Sequence, residues 1–405
     1  FEMMGNFSFG DYFKKEAIEW SYDLLTNTEY GFGLDPERLY VTVFEGDENA
    51  PRDEESAQIW KDVFANAGVH KKDKPGTQRI FFLPAKNNWW SPGENGPCGP
   101  DSEMFYDITG NLTQGLTHEE YVNADDKGEV VEIWNDVFME YEKKDGKVVG
   151  KLASKNVDTG SGYERICMMV QGVSSVYETD VFLPILEKID SLRTTKEGVS
   201  DDEVQKSTRI VADHVRTAVM MLSDGVTPSN TDQGYILRRL LRRALRHADI
   251  LSLPENSLFA LADVITEMYK DAYEQVSKQK ETIKVAISGE EKKFRKALTQ
   301  GLKEFNKIIE ATKTDSKTEL DTERIFKLFE SFGFPIELVE ELAKEQGFTI
   351  NREAFDQMFK EHQELSRAGS EKKFKGGLGG DGEIETRYHT ATHLLHAALK
   401  QVLGP

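Results

Sequence analysis

Apolar and polar residues alternate in short runs along the first half of the chain, and those runs predict a sheet. Phe7-Ser8-Phe9-Gly10 reads as the end of a strand, after which Asp11 is placed to cap a helix from Tyr12 to Thr26. Arg38 to Phe44 (with Leu39, Val41 and Val43 on one side), Ile80 to Leu83, Glu103 to Ile108 and Val130 to Tyr141 read as further strands. Trp89 to Pro100 is rich in Gly and Pro and predicts an irregular loop. Strands that mostly follow one another predict an antiparallel sheet in an α+β domain spanning 1–195, not a doubly wound one.

The period then changes to that of helices. Residues 203–372 predict an all-α domain, with amphipathic helices over Arg209 to Leu222 and Gln233 to Leu251. A longer helix carries Ile283, Ile287, Phe294, Leu298, Phe305 and Ile309 on one face, the stripe of a bundle core. A glycine-rich linker occupies 373–386, and helix signals return at Thr390 in a last segment, 387–405.

Composition narrows the classes. The 405 residues are 38% hydrophobic and 30% charged, which supplies real cores and is too balanced for a disordered chain. No apolar run is long enough to cross a bilayer, so no membrane partner is expected. Cys98 and Cys167 make no disulfide framework, and with no visible signal peptide a reducing cytoplasm is the expected compartment. The chain opens at Phe1, inside an apolar pattern, and reads as truncated. A net charge of −20 excludes nucleic-acid binding by overall charge, so any RNA contact needs a local basic patch. Ile236 to Ala248 offers one: five arginines and no acid, with Arg238, Arg242 and Arg246 four apart on one stripe. The choice there lies between phosphate contact and a solvated face paired to nearby acids, and the acidic body around it favours phosphate.

Two segments carry candidate chemistry. Alternation over Val131 to Met139 puts Val131, Ile133, Asn135, Val137 and Met139 on one face, where Asn135 is a primary amide in an apolar row. Such an amide is either a satisfied core asparagine or a ligand group, because burying it without partners costs roughly 1–3 kcal/mol. Alternation turns its neighbour Asp136 to the opposite face. The second segment, Asn156 to Ile166, reads as strand, glycine turn and helix. Gly160 and Gly162 let the backbone pass close to a ligand, Asp158 can bind an ammonium, and Arg165 in the first helical turn can reach an oxyanion. A turn with a helix cap explains the same pattern.

Several stretches resemble successive signatures of the alanyl-tRNA synthetase family, in the family's order. They are FEMMGNFSFGDYFKKEAI (1–18), WWSPGENGPCGPDSEMFYD (89–107), EIWNDVFMEY (132–141) and VDTGSGYERI (157–166). The similarity continues through RIVADHVRTAVMMLSDGVTPSNTDQGYILRRLLRRALRH (209–247), LFESFGFPIEL (328–338) and HTATHLLHAAL (389–399). It implies a class II catalytic domain, a helical tRNA-recognition domain and the start of an editing domain. The implied reaction joins alanine to ATP with Mg²⁺, giving alanyl-adenylate, and then passes alanine to the 3′ end of its tRNA. By position, Asp158 and Asn135 would hold alanine with Trp90, Val137 and Gly160 around it. Met3, Gly162 and Arg165 would serve ATP, with Arg165 on its phosphates. The first class II motif and the arginine expected on the α-phosphate would lie upstream of Phe1, and Ser161 and Tyr163 stand where the family usually has methionine and leucine.

The resemblance also implies that tRNA is read at a G·U pair in its acceptor stem, by Asn230 and by Glu330 in place of the usual aspartate, beside Arg238, Arg242 and Arg246. A pocket for one methyl group discriminates glycine or serine by only about 1–3 kcal/mol, so a second, hydrolytic site is expected. His389 and His393, four apart, match that site's Zn²⁺ ligands, and a short glycine linker stands where many members carry a β-rich subdomain. Two competing readings are a non-catalytic RNA-binding paralogue that kept the fold and a free-standing editing hydrolase.

Overall fold

The computed structural model describes residues 1–194, 198–315, 317–370, 391 and 394–402. Its strands are β1 (Met3–Met4), β2 (Phe7–Phe9), β3 (Leu39–Phe44), β4 (Ile80–Leu83), β5 (Trp89–Trp90), β6 (Gly96–Asp107), β7 (Val130–Lys144) and β8 (Lys147–Gly162). They form one sheet in the order β1-β8-β7-β6-β3-β4, with β2 also on β8 and β5 on β6. Every pairing is antiparallel except β3 with the edge strand β4. The expected α+β architecture is the one observed.

Helices α1 (Lys14–Thr26) and α2 (Glu54–Ala67) cover one face. Their Ile18, Trp60 and Phe64 pack with Val41, Met104, Trp134, Phe138 and Val157 in a single core. Two polar contacts on that face fix the layers: Trp60 Nε1 donates to Ser102 Oγ at 2.8 Å, and Ser21 Oγ to Asp136 Oδ1 at 2.8 Å. Asp136 therefore lies where alternation put it. Trp134 Nε1 also donates to it at 2.9 Å, and full burial raises its carboxyl to about 7.

Three local readings need correction. Helix α1 starts at Lys14, not Tyr12, and Asp11 does not cap it: Ser8 Oγ closes a turn by donating to Tyr12 O and accepting from Asp11 N. Trp89 to Pro100 is irregular only over 91–95, because Trp89 pairs with Pro100 and Trp90 with Gly99 along β5 and β6. The glycines at 160 and 162 make no turn either. Both lie in β8, which runs straight into helix α5 (Tyr163–Gln171), and neither has a left-handed φ.

Short helices α3 (Ala85–Asn88) and α4 (His118–Asp126) join the strands. The helical part continues with α6 (Leu183–Leu192), α7 (Asp201–Ser223), α8 (Asp232–Ile250), α9 (Ser257–Tyr269), α10 (Glu274–Lys278) and α11 (Lys280–Thr314). It ends with α12 (Thr322–Phe332), α13 (Ile336–Glu345) and α14 (Arg352–Ser370). All six apolar residues expected on one face of α11 are buried. Compact packing divides the chain at Phe1–Glu290 and Glu291–Pro405. That division falls inside α11, later than the change of period near 203, because α7 and α9 pack with α6 in the first unit. In the second unit, Phe334 seats against Gly301, where even a Cβ would meet its ring at 2.2 Å. No helix among the described residues is long and apolar enough to cross a membrane.

Candidate active site

The site lies on the face of the sheet turned away from α1 and α2, beside the patch where Tyr121 and Ala124 of α4 cover Tyr40 and Phe105. Residues directly opposite in antiparallel strands place their side chains on the same face. Val137 on β7 is opposite Asp101 on β6 and Asp158 on β8, and Asn135 is opposite Glu103 and Gly160. Two rows therefore cross the sheet, Asp101–Val137–Asp158 and Glu103–Asn135–Gly160. The five-residue face read from the sequence is shorter than expected. Met104 pairs with Trp134 and Phe105 with Glu132, so Ile133 is an extra, unpaired residue. The bulge turns Ile133 into the core under α1 and α2 and leaves Asn135 and Val137 on the opposite face, lining the cavity.

Met3, Trp90, Asn135, Val137, Asp158, Gly160, Gly162 and Arg165 all line one cavity of about 590 Å³. Gly160 gives it depth: a Cβ there would come within 3.0 Å of Met3 Sδ. Asn135 donates from Nδ2 to Glu103 Oε1 at 3.3 Å, while its buried Oδ1 has no partner among the described residues. Burial drives Asp101 to about 7. Burial, with Asp101 beside it, drives Glu103 to about 9. Asp158 is also raised by burial. An orphaned amide oxygen and a carboxylate facing one hollow form an acceptor pair, which is the complement of an ammonium group.

Arg165 projects from the first turn of α5, whose positive end suits anions. Its Nη1 is held by Glu132, with the backbone carbonyl at 2.8 Å and Oε2 at 2.9 Å. A phosphate would have to replace that contact. Sequence reasoning missed a wall of the cavity built by Glu132, Glu164, Tyr177, Asp213 and Arg216. Asp213 and Arg216 come from α7, which the sequence offers only as an amphipathic helix; polar residues on its inward side were the available signal. A hydrogen bond with His214 Nδ1 at 2.9 Å holds Asp213 below the usual carboxylate range.

The arginine stripe behaves differently from its expectation. Arg242 is buried and bonds Glu290 Oε1 through Nε at 2.8 Å and Nη2 at 2.7 Å. Arg246 is buried too. Arg238 keeps 21% side-chain exposure, reaches Glu290 at 3.4 Å and donates to Asn230 Oδ1. The stripe therefore packs inward on an acid from α11 that lies more than forty residues away in sequence. Asn230 is exposed in the loop before α8, and Glu330 is exposed on α12 in the other unit. His389 and His393, the metal candidates, lie outside the described residues.

With this geometry in place, comparison with known proteins is decisive for the family. The model of "tRNA synthetases class II (A)" matches residues 1–399. The chain belongs to this class II synthetase family. Among its relatives, a protein named Alanine--tRNA ligase from Treponema denticola is 47% identical over 407 residues, covering 100% of the chain and 65% of the relative. Proteins of the same name from Borrelia hermsii and Thermotoga maritima are 42% and 40% identical, over 100% and 96% of the chain and 65% and 41% of their own lengths. The chain thus spans about 65% of the most similar of these class II relatives.

Proposed function

We propose that this class II synthetase chain carries the amino-acid-activating part of an alanine–tRNA ligase. The observation that supports the reading most is the meeting of Asn135 and Asp158 on one cavity, with Val137 between their rows. Asp158 and the Asn135 oxygen take the alanine ammonium, and Val137 and Trp90 leave room for a small side chain. Met3 packs on the adenine. Arg165, released from Glu132, clamps the phosphates of ATP. The alanine carboxylate then attacks the α-phosphate and pyrophosphate leaves. Catalysis of this kind rests on positioning and charge stabilisation, with no protein group taking a proton.

A Mg²⁺ bound with ATP would neutralise phosphate charge. Mg²⁺ usually binds through phosphates and one or two carboxylates. Glu132 and Asp213 are the cavity oxygens suited to share it. In the second step a ribose hydroxyl at the 3′ end of the tRNA attacks the alanyl carbonyl and AMP leaves; Asn230 and Arg238 in the first unit, and Glu330 in the second, are each assigned to the acceptor stem. Arg242 and Arg246, buried in α8, are assigned to holding that helix. An editing Zn²⁺ on His389 and His393 and a cytoplasmic location belong to the same reading. The ligase names of the relatives lend no support to a non-catalytic RNA-binding role. ATP–pyrophosphate exchange by the full-length protein, assayed with alanine, glycine and serine, tests the proposal. Alanine-dependent exchange is expected, and a folded protein that exchanges with none of the three would overturn it.

A further inference from the structure

Arg216 is a second cation in the cavity, and neither its sequence context nor the relatives' names assign it a task. It rises from α7 and is 6% exposed. Its Nε donates to Tyr269 Oη at 2.8 Å and its Nη2 to Glu164 Oε1. The guanidinium lies 4.9 Å from the Phe182 ring centroid. The remaining nitrogen, Nη1, bonds no group among the described residues, although the side chain lines the cavity. Glu164, which Arg216 grips, is the chain neighbour of Arg165 in the first turn of α5. Two guanidinium groups and the first turn of α5 thus line one cavity, whose carboxylates are Glu132, Asp158, Glu164 and Asp213.

We infer that Arg216 binds an oxygen of the nucleotide's polyphosphate tail through Nη1, next to Arg165. The inference rests on the proposed ATP-dependent reading of this cavity. The charge balance argues for it. A polyphosphate brings several negative charges to a wall already rich in carboxylates, and Arg165 alone begins paired to Glu132. Arg216 needs no such release. Its side chain is fixed on three sides before ligand arrives, so little further ordering is needed on binding. The position beside α5 favours the nucleotide's phosphates.

Calorimetric titration of the chain with ATP, AMP and inorganic pyrophosphate tests it. The paired variant Arg216→Met with Glu164→Gln removes the cation without stranding a buried carboxylate. It should bind ATP and pyrophosphate at least tenfold more weakly and AMP within twofold of wild type. If that variant does not fold, Arg216→Lys carries the test. Its ammonium stays committed to Glu164, so ATP should bind at least threefold more weakly with AMP unchanged. Unchanged ATP and pyrophosphate binding, or an equal loss of AMP, overturns the role of Arg216 and leaves the ATP-dependent reading standing. A wild-type chain that binds none of the three overturns both.

Discussion

The sheet cavity and the arginine helix were both read from periodicity, yet their polar residues ended on opposite sides of the protein surface. On β7 the period of two put Asn135 and Val137 on one face, and the cross-strand partners Asp158 and Gly160 carried that face into a cavity. On α8 the period of four placed Arg238, Arg242 and Arg246 correctly on one stripe, but the stripe faces inward. Period specifies which residues share a face. Whether that face is wet depends on what packs over it, and Glu290, distant in sequence, is what α8 meets. A charged stripe in an acidic chain can therefore be a buried ion-pair seam as readily as a nucleic-acid surface.

Substitutions can sharpen or break this contrast. The largest effect is expected at Arg242. Arg242→Ala removes the nearer of the two arginines on Glu290, whose side chain is 2% exposed, and leaves only the longer contact to Arg238, so it should cost about 3 kcal/mol in urea unfolding. A loss below 1 kcal/mol, with weaker tRNA binding instead, would return Arg242 to the RNA surface. Next, Asp158→Asn removes a charge-assisted contact worth about 1.5–3 kcal/mol. It should raise the KM for alanine by roughly ten- to a hundredfold and leave the KM for ATP unchanged, as read by pyrophosphate exchange. Combined with Asn135→Ala, the losses should be less than additive, because both groups grip one ammonium.

Asp136→Asn probes the helix-covered face. Burial lets the native carboxyl keep its proton up to about 7, against an ordinary value of 3.8. In that window the folded chain binds the extra proton, so this group lowers stability as pH rises through it. Asparagine removes the dependence. The stability difference between the variant and wild type should grow by at most about 1.4 kcal/mol per pH unit from roughly pH 4 to 7. Parallel pH curves for the two proteins would show that Asp136 is ionised when buried. The smallest change is Gly160→Ala. Its added methyl displaces the flexible Met3 side chain without backbone strain, and a rise in KM for ATP of about threefold is expected.

Much of the architecture was legible because it follows local pattern: the run of strands, the switch to helices near 203 and the buried stripe of α11. The eight residues expected around alanine and ATP came together because motif order and strand register act in the same direction. What stayed hidden was non-local. The Ile133 bulge depends on the pairing with β6, the Trp89–Pro100 hairpin on bonds between strands that glycine and proline disguise, and the Arg216 wall on α7 packing back over α5.

Equilibrium binding of a non-hydrolysable alanyl-adenylate analogue, alanyl sulfamoyl adenosine, tests the shared grip of Asn135 and Asp158 most directly. Wild type should bind it at least thirtyfold more tightly than Asp158→Asn, while both bind AMP alike. Equal binding of the analogue by the two proteins would contradict the account.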